Sequence, residues 1–274
     1  MMLDLPAITR KCLRGNLGEV LREVRKVPKE SIDKSFMQFY LAQSTKYVHW
    51  PSISFIWNTF VVRRELMVVR PNILADIAKI SVHENKYGFT RTVLRHYNRY
   101  YISQRGIRWD GYRYLLLNAH IEIYAKRPNT KANFKKKWHA YIVELDNELT
   151  HYPVSVYDFP NLTASMRNIP IERLKKWLLN DCKEGSMNPY SMPMLLNMIL
   201  LQPHVSGAEK IDVFKEFVQK TSVDLSRYLQ DSVQILFHEC DGVSMRDLVE
   251  ELQALHMTFD EKTTRKLQSL GLLE

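Results

Sequence analysis

The chain has 274 residues, 45% of them hydrophobic, with 39 Lys and Arg against 30 Asp and Glu, a formal net charge of +9. That apolar content belongs to a folded protein with a sizeable core and excludes a disordered tail, while the length allows one large domain or two ordinary ones. No apolar run reaches the roughly 18 to 20 residues that a membrane helix needs, since Pro193 and Asn197 interrupt the greasiest segment, Met192 to Leu201.

Nine glycines and eleven prolines stand as single breaks between long periodic segments, which predicts helices joined by short turns. Residues 6 to 27 read as one or two helices broken near Gly15, with Leu17, Val20, Leu21 and Val24 as the apolar stripe and Pro28 as the stop. Ile32 to Tyr47 is the next predicted helix. Pro51 to Leu66 follows, with Ile53, Ile56, Trp57 and Phe60 on one side. Strand signals are few, and only Pro153 to Phe159 alternates.

From there a repeat becomes visible. Helix pairs begin near Asn72, Asp110, Val154, Tyr190, Asp224 and Asp260, at separations of 38, 44, 36, 34 and 36 residues. An inner turn falls within each pair: Lys86-Tyr87-Gly88, Arg127-Pro128-Asn129, Ile169-Pro170, Ser206-Gly207 and Asp241-Gly242. Hairpins at a period in the mid-thirties predict an all-α fold, a right-handed superhelical α-solenoid of stacked helical hairpins, because one hairpin cannot bury its own apolar face. The expected organisation is a single solenoid over 1–274, with irregular helices in 1–70, about five repeats in 71–259 and a capping helix in 260–274. Ser206 with Glu209 is a predicted capping box, and Ser244 with Asp247 a shorter one.

The charge is not spread evenly. Lys86 to Lys137 holds thirteen basic residues against Asp110 and Glu122, a local +11 that exceeds the whole chain's +9 and points to a polyanion. On a helix over Thr90 to Gln104, Arg91, Arg95 and Arg99 fall at i, i+4, i+8 on one face. A solvated face would show the same spacing, but such faces usually mix both signs and this helix has no carboxylate. Tyr97, Tyr100, Tyr101, Trp109, Tyr112 and Tyr114 lie among the cations, a mixture suited to phosphates and exposed bases. The candidate RNA-binding residues are Arg91, Arg95, Arg99, Arg105, Arg108, Trp109, Tyr112, Arg113, Lys126, Arg127, Lys131, Lys135, Lys136 and Lys137.

Nothing in the sequence has the spacing that catalysis or a metal requires. Cys12, Cys182 and Cys240 are odd in number and far apart, His238 and Cys240 suit neither one helix face nor a closed zinc site, and the aspartates are scattered. The reading is a non-enzyme with no cofactor. The amino terminus lacks the apolar core of a secretory signal and the serine-rich, acid-free character of an organelle presequence.

Leu248 to Leu267, LVEELQALHMTFDEKTTRKL, resembles a pentatricopeptide repeat's passage from its second helix into the next first helix. Tyr100 to Leu116, YYISQRGIRWDGYRYLL, is similar again, with Gly106 and Asp110 at the turn. The resemblance covers roughly residues 71 to 274, and the tetratricopeptide solenoids share its period. It implies RNA binding along a groove, with fifth positions at Ile77, Leu115, Asp158, Leu195, Leu229 and Arg265. Irregular repeats, many tyrosines and a lysine-rich insertion look most like the RNA-maturation and translation factors of fungal mitochondria. That likeness implies the mitochondrial matrix, a mitochondrial mRNA or rRNA as ligand, and the mitochondrial ribosome or an acidic protein as partner. A protein-binding scaffold of tetratricopeptide type is the alternative, favoured by aliphatic residues at the reading positions.

Overall fold

The computed structural model describes residues 4–126, 155–183, 191–221, 229–240, 242–254 and 256–273. Among them every regular element is a helix and no strand occurs. The chain divides into two compact units, Met1–Tyr124 and Ala125–Glu274.

The first unit is built of hairpins. Helices α1 (Leu5–Leu13) and α2 (Leu17–Lys26) form the first, and α3 (Lys34–Lys46) and α4 (Trp50–Ile56) the second, with α4 running on as a π-helical turn, Trp57–Val62. Helices α5 (Pro71–His83) and α6 (Tyr87–Tyr101) form the third, and α7 (Ile107–Ala125) follows. First helices pack in series, α1 on α3 and α3 on α5, while α2 packs on α4. The first helices of successive layers begin at Leu5, Lys34, Pro71 and Ile107, so the spacing is shorter from the first layer to the second and settles in the mid-thirties from Lys34 onward. The predicted stripes form the core: Leu17, Val20, Leu21 and Val24 of α2 are buried, as are Ile53, Ile56, Trp57 and Phe60. The helix expected over Thr90 to Gln104 is α6, which starts and ends three residues earlier.

The hairpins share one way of turning. Gly15, Val48 and Asn85 each take a left-handed conformation, φ 79°, 53° and 55°, directly after a first helix. The amide of the residue after each then reaches five residues back, Asn16 to Lys11, His49 to Ser44 and Lys86 to Ser81, at 3.0, 2.8 and 2.8 Å. This closes the last helical carbonyls. The third turn is therefore centred on Asn85, and Gly88 of the expected Lys86-Tyr87-Gly88 turn lies inside α6.

Contacts between layers repeat with the period. Arg64 pairs with Glu30 and Arg99 with Glu65, each across 34 residues, and the two pairs stand 35 residues apart. The Trp57 indole N–H donates to Thr92 Oγ1 across 35.

The second unit starts with a 3-10 turn, Val156–Asp158, and continues through α8 (Pro160–Ala164), α9 (Ile171–Lys183), α10 (Ser191–Leu200), α11 (Gly207–Lys220), α12 (Gln230–Glu239), α13 (Gly242–Ala254) and α14 (Glu261–Ser269). Here too helices pack two apart in order, α9 on α11, α10 on α12 and α12 on α14. Ser206 and Glu209 make the expected capping box of α11. The helix expected to begin at Ser244 starts two residues earlier, at Gly242.

The alternation of Pro153 to Phe159 is also not a strand. Its described part is the 3-10 turn, in which Val156 and Phe159 are buried three residues apart while Tyr157 is exposed, the spacing of a three-residue turn. Met192 to Leu200 is buried nearly throughout, and Asn197 accepts from Ser232 of α12 inside that core. Among the described residues no helix is long and apolar enough to cross a membrane.

Candidate nucleic-acid interface

Helix α6 displays its arginines because its other sides are fully engaged. Val93 and Tyr97 are buried. Thr90 Oγ1 lies 3.3 Å from His120 Nδ1 of α7, Thr92 accepts from Trp57, and His96 Nε2 accepts the Val69 amide at 3.1 Å. These contacts leave Arg91, Arg95 and Arg99 exposed along one line. Arg99 donates to Glu65 at 2.5 Å, which holds the Glu65 carboxyl below the usual carboxylate range. Among the described residues Arg91 and Arg95 have no carboxylate within ion-pairing distance.

The α6–α7 corner carries the aromatic part. Tyr97 and Tyr101 have ring centroids 5.7 Å apart, Tyr101 stacks on Trp109 at 5.7 Å, and Trp109 meets Tyr112 edge-on at 6.4 Å. The Tyr97 hydroxyl donates to the Trp109 carbonyl and that of Tyr101 to the Val69 carbonyl, which fixes both phenols. Trp109 thus spends one ring face on Tyr101, and Trp109 and Tyr112 are only partly exposed. Arg108 lies over the Tyr112 ring at 5.9 Å, and Ile107 beside it is 81% exposed. Arg105 folds back to donate to the Ile102 carbonyl at 2.5 Å, so its cation stays at the corner. Arg113 is half-buried.

Lys126 is half-buried and belongs to the second unit. Arg127, Lys131, Lys135, Lys136 and Lys137 lie outside the described residues. The part of the candidate set that the first unit brings together is the α6 stripe with the corner. Burial, with Arg99 close by, pushes His96 down to about 4, and burial beside Arg91 does the same to His120. Both imidazoles are therefore neutral at physiological pH, and the positive charge of this face is that of its arginines.

The charge asymmetry is wider than the basic stretch suggests. Residues 1–124 hold twenty Lys and Arg against ten Asp and Glu, whereas 125–274 hold nineteen against twenty. Glu65 was not legible as part of this site, since it lies well before Lys86. Its only signal is the 35-residue spacing from Glu30, its counterpart in the preceding layer.

Of the fifth positions that the pentatricopeptide resemblance implied, Ile77, Leu195 and Leu229 are buried in the core and cannot touch a base; Leu115, Asp158 and Arg265 are exposed. Among the described residues no group of three or more His, Cys, Asp or Glu is placed to hold a metal. Cys240 is spent on packing: its thiol donates to the Gly207 carbonyl at 3.4 Å. Gly207 itself is tightly packed, because a Cβ there would sit 3.2 Å from the Glu239 carbonyl oxygen, closer than ordinary van der Waals contact.

The family model described as PET122 matches residues 6–255. "Protein PET122, mitochondrial" of Lachancea kluyveri is 33% identical over 241 residues, which is 87% of this chain and 75% of that protein. The protein of the same name from Saccharomyces cerevisiae is 24% identical over 214 residues, 76% of this chain and 83% of the relative. That of Saccharomyces bayanus is 25% identical over 219 residues, with the same two shares. No solved structure matches the chain.

Proposed function

The chain belongs to the PET122 family of mitochondrial proteins, and from that premise we propose that it is a non-catalytic RNA-binding helical-repeat protein acting in RNA stability, processing or translation in the mitochondrial matrix. Its ligand is a mitochondrial mRNA or rRNA, and its working context is the mitochondrial ribosome. The observation that carries this reading is the outer face of α6. Arg91 and Arg95 are exposed with no carboxylate beside them among the described residues, on the helix that leads into a corner where Trp109 and Tyr112 are partly exposed. Arginines one helical turn apart have Cβ atoms about 5 to 6 Å apart, so their long side chains can reach neighbouring phosphates of a single strand, and partly exposed rings supply the stacking that makes such binding tolerant of sequence.

Because three of the four aliphatic positions, Ile77, Leu195 and Leu229, are core residues, selection of one base per repeat is not part of this reading. Recognition rests on phosphates, on stacking and on RNA shape. The test is fluorescence anisotropy with a single-stranded RNA at several salt concentrations. Binding through phosphates requires log affinity to fall linearly with log salt, by about 0.7 units per phosphate contacted. Binding that ignores salt, or no binding at low salt, would overturn the proposal.

A further inference from the structure

A second feature of the first unit is built from other residues. Between α3 and the segment after the π-helical turn lies a cleft of about 450 Å³, with Met37, Phe60, Leu66 and Met67 among its walls and Lys34 and Arg64 at its mouth. Its far wall is made by an unusual piece of backbone. The π-helical turn ends with the Arg63 amide donating to the Asn58 carbonyl, and Glu65 then takes a left-handed conformation, φ 49°. That reversal lets the Leu66 amide donate to the Phe60 carbonyl at 2.8 Å and turns Leu66 and Met67 back over the cleft. π-Turns and left-handed residues other than glycine are costly, and both concentrate where a binding surface has to be shaped.

Comparison with the next layer shows what is missing. Thirty-five residues on from Leu66 stands Tyr101, the last residue of α6, whose hydroxyl donates to the Val69 carbonyl at 3.1 Å, two residues ahead of α5. Leu66, in the irregular segment after the π-helical turn, has no hydroxyl to make such a bond and lines the cleft instead.

We propose that this cleft docks an acidic amphipathic helix of a partner protein, which seats one apolar side chain between Met37, Leu66 and Met67 and sets carboxylates on Lys34 and Arg64. The floor decides against a nucleobase, because Phe60 is buried and offers no open ring face, whereas methionine walls adapt to aliphatic and aromatic side chains. The mouth decides the sign of the partner. Among the described residues Lys34 is exposed with no ion pair, and Arg64 pairs with Glu30, an exposed residue of this chain that occupies the place of an incoming carboxylate. Docking exchanges Glu30 for the partner's acid.

The proposal is independent of the RNA reading, since it uses other residues and its test brings in RNA only as a competitor. The probe is a fluorescein-labelled, glutamate-rich helical peptide with leucines at i, i+4 and i+7, titrated with the full chain. Leu66→Tyr, which installs the side chain that the next layer already carries, should weaken binding about tenfold while the chain stays folded by circular dichroism. Glu30→Gln should strengthen it about threefold by releasing Arg64. Lys34→Glu should weaken it, and a peptide with alanine in place of leucine but the same charge should not bind. Unchanged affinity in Leu66→Tyr, weaker binding in Glu30→Gln, equal binding of the alanine peptide, or displacement of the peptide by single-stranded RNA would each overturn it.

Discussion

Arg99 of α6 donates to Glu65 at 2.5 Å across one full layer of the array, and Arg64 stands in the same relation to Glu30 one layer earlier. The stripe that looked uniformly cationic in sequence is therefore one-third matched from a neighbouring hairpin. Arg91 and Arg95 are the part that carries field into solvent.

Glu65→Gln should strengthen RNA binding. It removes the anion that occupies Arg99 and leaves the guanidinium free for a phosphate, so the salt slope should steepen by about 0.7 units. Anisotropy titrations of the variant at several salt concentrations read this directly, and an unchanged slope would remove Arg99 from the interface.

Arg91→Gln with Arg95→Gln should flatten the same slope by about 1.4 units, because each cation that touches a phosphate on a single strand contributes about 0.7. Arg99→Gln alone should do less than either, since its charge is already shared with Glu65. Equal losses from all three would mean that the ion pair opens without cost when RNA arrives.

Stability should fall as the medium becomes acidic, well before most carboxylates titrate. His96 and His120 are pushed down to about 4 by burial, from an ordinary 6.5. The folded state therefore favours the neutral rings. Their contribution is fully present above pH 6.5 and is lost progressively as pH drops from about 6.5 to about 4, because the unfolded chain binds those protons first. For His96 the proton would displace the Val69 amide that Nε2 accepts. Thermal midpoints across that range should decline in the native chain and decline less in a His96→Gln, His120→Gln variant.

Val48→Gly should make the first unit more stable. A β-branched residue at φ 53° pays about 1 to 2 kcal/mol for the left-handed region, and Val48 is 51% exposed, so little packing is lost with its side chain. After the greater freedom of glycine in the unfolded chain is subtracted, a gain of about 0.5 to 1 kcal/mol is expected in urea denaturation.

Much of the fold could be read directly from residue spacing. The stripes through α2 and α4 become core: Val20 and Val24, Ile53 and Ile56 are all buried, because a 3.6-residue period leaves an amphipathic helix only one face to hide. Turn chemistry was legible where a glycine or a capping side chain announces it, as at Gly15 and at Ser206 with Glu209. It was not legible at Val48, whose side chain opposes the conformation it holds. There the bond from His49 to the Ser44 carbonyl and the packing of α3 against α4 impose a backbone state that local propensity disfavours.

By itself the sequence determined that this is a helical-repeat protein with its positive charge gathered in one region, since period and composition are properties of the chain before it folds. Tertiary structure decided which of those cations remain available. It paired Arg99 with a carboxylate 34 residues away, folded Arg105 onto its own turn, and left Arg91 and Arg95 facing water. It also opened a cleft behind Leu66 that no local pattern announces. The physical reason is the same in each case. Residues a whole layer apart in sequence become neighbours only when hairpins stack, and the neighbour, not the residue type, sets what a charge or an apolar side chain can do.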